Sequence, residues 1–147
     1  MAHYRFAIRI AAPPDHVFDL WMNLDRMSEW TGGVTRVTDV TGPIDQPGTR
    51  YTVWFGRIKS PTEIVEVRRP HHIRTRFGNI LLRGESAATF ASEDGGTLLT
   101  EEFRTNGVIS AIAARVFATG SYRGSFRGEL AAFRELAERE AQALAEV

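Results

Sequence analysis

The stretch from Gly107 to the C-terminus contains no proline, whereas turn signals divide the chain before it into short strand-like runs. A long helix in that stretch cannot bury its apolar side alone, so it must lie across another layer. This order predicts an α+β domain in which a mainly antiparallel sheet is closed by one long C-terminal helix. A curved sheet closed in this way leaves a hollow between its layers, and hollows of this kind bind small molecules.

Alternating apolar and polar residues predict seven strands, because successive side chains of a strand point to opposite faces. The predicted strands are Tyr4–Ile10, Val34–Val40, Thr49–Lys59, Thr62–Arg68, Ile73–Phe77, Leu81–Ala91 and Thr97–Thr105. Short turns between consecutive strands predict an antiparallel meander. Two short helices are expected after the first strand, one opening at Pro13-Pro14 and one over Leu24–Trp30.

Length and charge narrow the class of protein. We expect residues 1–147 to form one domain with its own core. A formal net charge of zero removes the positive surface expected of a nucleic-acid-binding protein and argues against a polybasic membrane contact. No apolar run approaches the roughly 20 residues that span a bilayer, and no signal peptide is visible, so we expect a cytoplasmic protein.

Familiar catalytic and cofactor-binding motifs are absent from the sequence. The chain has no cysteine, which excludes disulfides, thiolate nucleophiles and cysteine-ligated metals. Its four histidines lack metal-binding spacing, since the adjacent His71 and His72 point to opposite sides of a strand. A glycine-rich phosphate loop and a GxSxG nucleophile elbow are also missing. We therefore expect no metal and no cofactor.

Several short motifs occur along nearly the whole chain in a characteristic order. They are Pro13-Pro14-Asp15-His16-Val17-Phe18-Asp19-Leu20, Glu29-Trp30, Gly48-Thr49-Arg50-Tyr51, Glu63-Ile64-Val65-Glu66-Val67 with Arg69-Pro70 and Ile73, and Gly95-Gly96-Thr97. In this order the sequence resembles the START-like, polyketide-cyclase-type superfamily. The resemblance implies a helix-grip fold: a seven-stranded curved antiparallel sheet, two short helices after strand 1, and a long C-terminal helix over a cavity for an apolar or aromatic ligand. Members include cyclases and aromatases of polyketides, carriers of lipids and quinones, and hormone receptors, so the resemblance does not fix an activity.

Strand parity places Glu101 between Leu99 and Phe103 on one face of the last predicted strand. A carboxylate on an apolar face is costly unless it is paired or hydrated. One interpretation is a cavity carboxylate with a raised pKa that acts as a general acid or base, or holds a ligand hydroxyl. The other is a carboxylate paired with an internal arginine or placed near the sheet edge, where it reaches water.

Parity also selects candidate residues for the cavity wall. Arg57 shares a face with Tyr51, Val53 and Phe55, so it is a candidate partner of Glu101 and, with Glu101, a candidate catalytic residue. The opposite face carries Trp54, which either lines the cavity or covers the outer surface of the sheet. The predicted ligand-binding residues are Trp30, Tyr51, Val53, Phe55, Thr75, Ser86, Glu101, Phe103, Phe117 and Tyr122.

A helical projection divides the C-terminal segment into two halves. With Gly120 at zero, one apolar stripe falls between about 200° and 280°; it consists of Tyr122, Phe126, Leu130, Phe133 and Ala137. A second group falls between about 340° and 60°; it consists of Ile109, Ala113 and Phe117. In a straight helix these two groups bury different faces.

Three glycines in this segment need an explanation, since each costs about 1 kcal/mol relative to alanine inside a helix. Three explanations are open for Gly120, Gly124 and Gly128. The helix is kinked near Thr119-Gly120, the glycines allow close contact with a second subunit in a homodimer, or a stable domain simply tolerates them. We favour the kink. Val108–Ala118 then forms a lid over the cavity mouth, and Ser121–Ala145 grips the sheet.

Three functions fit this layout. The favoured one is a module that binds or transports a hydrophobic or aromatic small molecule, such as a lipid, a quinone or a polyketide-like compound. The alternative is an enzyme of the cyclase, dehydratase or hydrolase type that acts on a polyketide-like substrate through polar cavity residues. Its candidate residues are Glu101, Arg57, Tyr51 and Tyr122. The third is a structural domain that dimerises through its glycines. Binding is favoured because no nucleophile–base pair can be identified.

Overall fold

A computed structural model describes residues 3–78, 83–107 and 126–145 of the chain. Within these ranges, seven antiparallel strands form one sheet in the order β1-β7-β6-β5-β4-β3-β2. The strands are β1 (His3–Ile10), β2 (Arg36–Thr38), β3 (Arg50–Phe55), β4 (Ile58–Arg68), β5 (His72–Gly78), β6 (Arg83–Glu93) and β7 (Gly96–Thr105). The helices are α1 (Pro14–Trp21), a 3-10 helix (Leu24–Glu29) and α2 (Phe126–Ala145). The predicted helix-grip architecture is therefore confirmed.

The core lies between the inner face of the sheet and the helices. On β7 every second side chain is buried, as alternation requires; these residues are Thr97, Leu99, Glu101, Phe103 and Thr105. Phe18 of α1 and Phe133 of α2 reach this layer with less than 2% of their surface exposed. The ladder between β4 and β5 shifts register between Ile64 and Glu66, and such bulges bend the strand and increase its local twist.

Polar contacts fix α2 over the sheet. The backbone N–H of Ala11 donates a 2.8 Å hydrogen bond to Oε2 of Glu138, and Nε2 of His16 donates to the carbonyl of Ala137 at 3.1 Å. Arg26 of the 3-10 helix forms ion pairs with both Glu29 and Glu140. Its guanidinium donates hydrogen bonds to both carboxylates, and these bonds raise the pKa of Arg26. These contacts thus join the segment from Ala11 to the 3-10 helix to α2, beside the cavity.

The prediction of one strand over Thr49–Lys59 is wrong. Phe55 pairs with Ile58, so the chain turns back through Gly56 and Arg57 between β3 and β4. Gly56 adopts a φ of +65°, which a side chain would disfavour. As a result Arg57 lies exposed at the tip of a hairpin, not on the inner face of a strand.

Trp54 lies on the outer surface of the sheet. Its Nε1 donates to Oγ1 of Thr38 at 2.7 Å, and the cationic groups of Arg36 and Lys59 lie 4.3 and 4.9 Å from its ring centroid. Of the two positions expected for Trp54, the outer surface is therefore the correct one. The predicted lid over Val108–Ala118 and the kink near Gly120 fall outside the described residues.

Candidate functional site

A cavity of about 210 Å³ lies between the sheet, the two N-terminal helices and α2. Its wall is mainly apolar and aromatic, as in most small-molecule sites. The lining residues are Trp21, Met22, Leu24, Met27, Trp30, Thr31, Val34, Tyr51, Val53, Phe55, Ser60, Thr62, Thr75, Phe77, Ser86, Glu101, Phe103 and Glu129.

Aromatic rings form much of this wall. Trp21 and Trp30 lie 4.7 Å apart, and the ring of Phe133 packs edge-on against both at 5.1 and 5.0 Å. A second pair, Phe77 and Phe103, stacks with centroids 5.1 Å apart and an interplanar angle of 24°. Rings in these geometries stabilise one another beyond the effect of their area burial, so much of the cavity wall consists of aromatic rings in mutual contact.

Glu101 is 8% exposed on the inner face of β7 and lines the cavity. Removal from water disfavours its charged form and raises the pKa of its carboxyl to about 7. Among the described residues that line the cavity there is no lysine, arginine or histidine. This favours the interpretation of Glu101 as a cavity carboxylate over that of a carboxylate paired with an internal arginine.

Glu129 of α2 contributes a second carboxyl to the same cavity. Burial, followed by the charge of Glu101, raises the pKa of Glu129 to about 9, against a hydrogen bond from the backbone N–H of Gly32 that lowers it. Glu129 is not among the site residues predicted from the sequence. On the helical projection it falls at about 180°, directly beside the apolar stripe, and that position is the signal that could have found it.

Buried polar groups accompany the two carboxyls. Nε1 of Trp30 and Oγ1 of Thr31 are buried with no hydrogen-bond partner in the described part of the chain, and both residues line the cavity. Burial also raises the pKa of the Tyr51 phenol, which therefore stays neutral. The cavity thus offers an indole donor and hydroxyl groups as well as carboxyls, all set in an apolar wall.

Eight of the ten predicted ligand-binding residues line this cavity. They are Trp30, Tyr51, Val53, Phe55, Thr75, Ser86, Glu101 and Phe103. Phe117 and Tyr122 lie outside the described residues. The prediction that Arg57 faces Glu101 is wrong, because the hairpin turn exposes Arg57 to solvent. The role of the eight lining residues in binding a ligand stays a prediction.

Neither a metal-ligating cluster nor a membrane-spanning helix occurs in the described ranges. No group of three or more histidine, aspartate or glutamate side chains there could hold a metal ion. No helix in the same ranges has the length and apolar character needed to cross a membrane. Most of the glycine surface considered for a homodimer lies outside these ranges, and the homodimer stays a prediction.

The family is decided by a match over most of the chain. A family model described as "Polyketide cyclase / dehydrase and lipid transport" matches residues 1–138. The chain belongs to this family. The resemblance predicted from the motifs is therefore confirmed. The description of the polyketide cyclase/dehydrase and lipid transport family names both an enzymatic role and a carrier role. No functionally curated protein matches this member of the family.

Solved structures support the same fold. Protein MLL2253 from Mesorhizobium loti is similar with a TM-score of 0.77 at 14% identity, over 94% of this chain and 98% of that one. The di-domain ARO/CYC protein StfQ of the steffimycin biosynthetic pathway is similar with a TM-score of 0.71 at 17% identity, over 95% and 46%. Ara h 8.0201 gives a TM-score of 0.66 at 13% identity, over 92% and 97%. At such identities the likeness concerns the fold.

Proposed function

We propose that this protein binds a compact hydrophobic or aromatic small molecule in the cavity between the sheet and α2. The observation that carries the proposal is the aromatic cavity itself, lined by Trp21, Trp30 and the Phe77–Phe103 stack. Membership of a family described by cyclase, dehydrase and lipid-transport roles supports it. Apolar surface removed from water supplies about 25 cal/mol per Å², and rings that are already ordered reduce the cost of binding.

Cavity size sets the class of ligand. A cavity of about 150 Å³ in another protein accepts benzene, and the volume here is about 210 Å³. A molecule of one or two rings, or a short acyl chain, therefore fits best. This favours a polyketide-like fragment, a quinone head or a similar aromatic compound over a long-chain lipid.

The proposal is tested by filling the cavity. Ser86 of β6 lines it, so Ser86→Phe should place a ring in the binding space and abolish binding of naphthalene, measured by fluorescence. Thr89→Phe adds the same ring on the same strand, where Thr89 is exposed on the outer face, and should leave binding unchanged. Equal binding by both variants, or no binding by the wild-type protein, would overturn the proposal.

The second candidate is a dehydratase, and the position of Glu101 favours it. A carboxyl with a pKa of about 7 inside a cavity is suited to general acid–base catalysis near neutral pH. As base, Glu101 would take the α-proton of a β-hydroxy ketone, and protonated Glu129 would protonate the leaving hydroxyl, which departs as water and leaves an enone.

The conversion of 4-hydroxy-4-phenylbutan-2-one to benzalacetone, followed by ultraviolet absorbance, tests this second candidate. Glu101→Gln should abolish the conversion without abolishing binding of the ketone. Glu102→Gln removes the neighbouring carboxylate on the outer face and should retain full activity. If the wild-type protein binds the ketone without converting it, the binding function alone remains.

A further inference from the structure

Glu101 and Glu129 approach the cavity from opposite layers. Glu101 projects from β7 in the sheet, and Glu129 projects from α2 on the other side of the same space. Their electrostatic interaction is strong enough that the charge of Glu101 raises the pKa of Glu129. Glu129 has the backbone N–H of Gly32 as a hydrogen-bond donor, whereas a purely apolar ligand would give the buried carboxyl of Glu101 no polar partner, which is costly.

A second observation points independently to a polar atom on the ligand. Trp30 is only 8% exposed, and its buried Nε1 has no hydrogen-bond partner among the described residues, although the residue lines the cavity. A buried N–H without an acceptor is rare in folded proteins and costs free energy until something accepts its hydrogen bond. The cavity therefore presents acceptors and an unused donor inside an otherwise apolar wall.

We propose that Glu101 and Glu129 form a carboxyl pair that binds the hydroxyl group of a compact aromatic or alicyclic ligand, with Glu101 as acceptor. This inference rests on the proposed binding function and specifies its ligand as a phenol-like or alcohol-like molecule instead of a plain hydrocarbon. In the state with one proton on the pair, Glu101 is charged and Glu129 is neutral. A single buried negative charge then faces the donor end of the ligand.

The protonation state of the carboxyl pair sets the pH range in which the cavity prefers a ligand with a hydroxyl group to one without it. The titratable groups that line the cavity within the described residues are Glu101, Glu129 and Tyr51. Between the pKa of Glu101 at about 7 and that of Glu129 at about 9, one carboxylate and one carboxylic acid coexist. Hydrogen bonds to a charged acceptor are about twice as strong as those between neutral groups, so preference for the hydroxyl should be greatest near pH 8.

Three single-ring probes separate the contribution of apolar contact to binding from those of a ligand acceptor and a ligand donor. p-Xylene carries no polar atom, 4-methylanisole carries an acceptor only, and p-cresol carries a hydroxyl donor at the same position. With the wild-type protein at pH 8, we expect p-cresol to bind at least tenfold more tightly than 4-methylanisole, as measured by calorimetry. Glu101→Gln keeps a neutral acceptor oxygen but loses the charge, so it should lower this ratio severalfold. Glu102→Gln on the outer face should preserve the ratio.

The outcomes distinguish a failure of the carboxyl subsite from a failure of the proposed binding function. If p-xylene binds but p-cresol and 4-methylanisole bind equally well to the wild-type protein, the carboxyl subsite is wrong while the hydrophobic cavity stands. If no probe binds to a folded protein, the proposed function fails together with the inference. If Glu101→Gln does not fold, the wild-type protein alone gives the answer: the ratio must fall severalfold between pH 8 and pH 5.5, and a constant ratio overturns the inference.

Discussion

Glu101 on β7 and Glu129 on α2 line one cavity from opposite layers, and burial raises the pKa of both carboxyls. Neither position suits a residue selected for stability alone, because an apolar side chain would avoid the cost of desolvation. The pair thus sets a chemical character for the cavity that its aromatic wall does not provide. It also makes stability and ligand preference depend on the same two protons.

The first prediction concerns stability against pH. A glutamate carboxyl in water has an ordinary pKa of 4.5, and in the folded protein the values rise to about 7 for Glu101 and about 9 for Glu129. Between the ordinary and the raised values the folded protein binds more protons than the unfolded chain, so the free energy of unfolding falls as pH rises. For Glu101 the loss amounts to about 3 kcal/mol, at about 1.4 kcal/mol for each step of one in pKa. Urea denaturation at pH 5, 7 and 9 measures this slope.

Single substitutions identify the source of that slope. Glu101→Gln and Glu129→Gln each remove one ionisation, so each variant should gain stability relative to the wild-type protein at pH 9. Glu102→Gln removes a carboxylate on the outer face and should keep the wild-type slope. An unchanged slope in both cavity variants would show that the buried carboxyls do not govern it.

The second prediction uses Nε1 of Trp30, a donor that has no hydrogen-bond partner among the described residues. A ligand carbonyl should accept a hydrogen bond from its Nε1, so acetophenone should bind more tightly than ethylbenzene. The expected difference is on the order of 1 kcal/mol, the net value of one hydrogen bond. Trp30→Phe keeps an aromatic ring against Trp21 and Phe133 but removes the donor.

Calorimetry with both compounds checks this prediction. Trp30→Phe should bind acetophenone and ethylbenzene equally well. Trp54→Phe is the matched control, because Trp54 lies on the outer face and donates to Thr38. A preference for acetophenone that persists in Trp30→Phe would place the donor elsewhere.

Much of the sheet is predictable because strand alternation has a period of two. On β7 that period separates two faces completely, and alternation alone assigns Glu101 correctly to the inner face. On β3 the same rule fails after Phe55, since Trp54 and Ile58 make the second parity partly apolar and the pattern shows no end to the strand. A two-residue turn without an Asn-Gly or Asp-Gly pair gives little local signal, and the error carries Arg57 onto the wrong face.

Glu129 is harder to predict for a different reason. Helix projection gives each residue an angle but not the width of the buried stripe, and a glutamate at its border is usually assigned to solvent. Only the neighbouring cavity shows that α2 does not press onto β7 at that point. Which helix positions face a hollow instead of a packed layer depends on distances between layers, which the sequence pattern does not contain.

The third prediction concerns the attachment of α2. Glu138 accepts a hydrogen bond from the backbone N–H of Ala11 at 2.8 Å. Glu138→Ala should lower the free energy of unfolding by about 1 kcal/mol, the usual net value of one hydrogen bond. Glu135→Ala makes the same replacement at an exposed position of the same helix and should be nearly neutral. Urea denaturation measures the free energy of unfolding of both variants. Equal values would contradict the prediction that the Glu138–Ala11 hydrogen bond stabilises the attachment of α2.

The last prediction is that cavity volume limits ligand size. Phe77 of β5 lines the cavity and stacks on Phe103, so Phe77→Ala should enlarge the binding space at a cost in stability of a few kcal/mol at most. The wild-type protein should bind p-xylene and naphthalene but reject three-ring phenanthrene.

Fluorescence titration with phenanthrene checks the size limit. Phe77→Ala should bind it, because the volume of one ring becomes available where the side chain was removed. Arg76→Ala truncates the exposed neighbour on the same strand and should still reject it. If the wild-type protein binds phenanthrene as well as naphthalene, the ligand must enlarge the cavity as it enters, and a volume of about 210 Å³ would not set the size of the ligand.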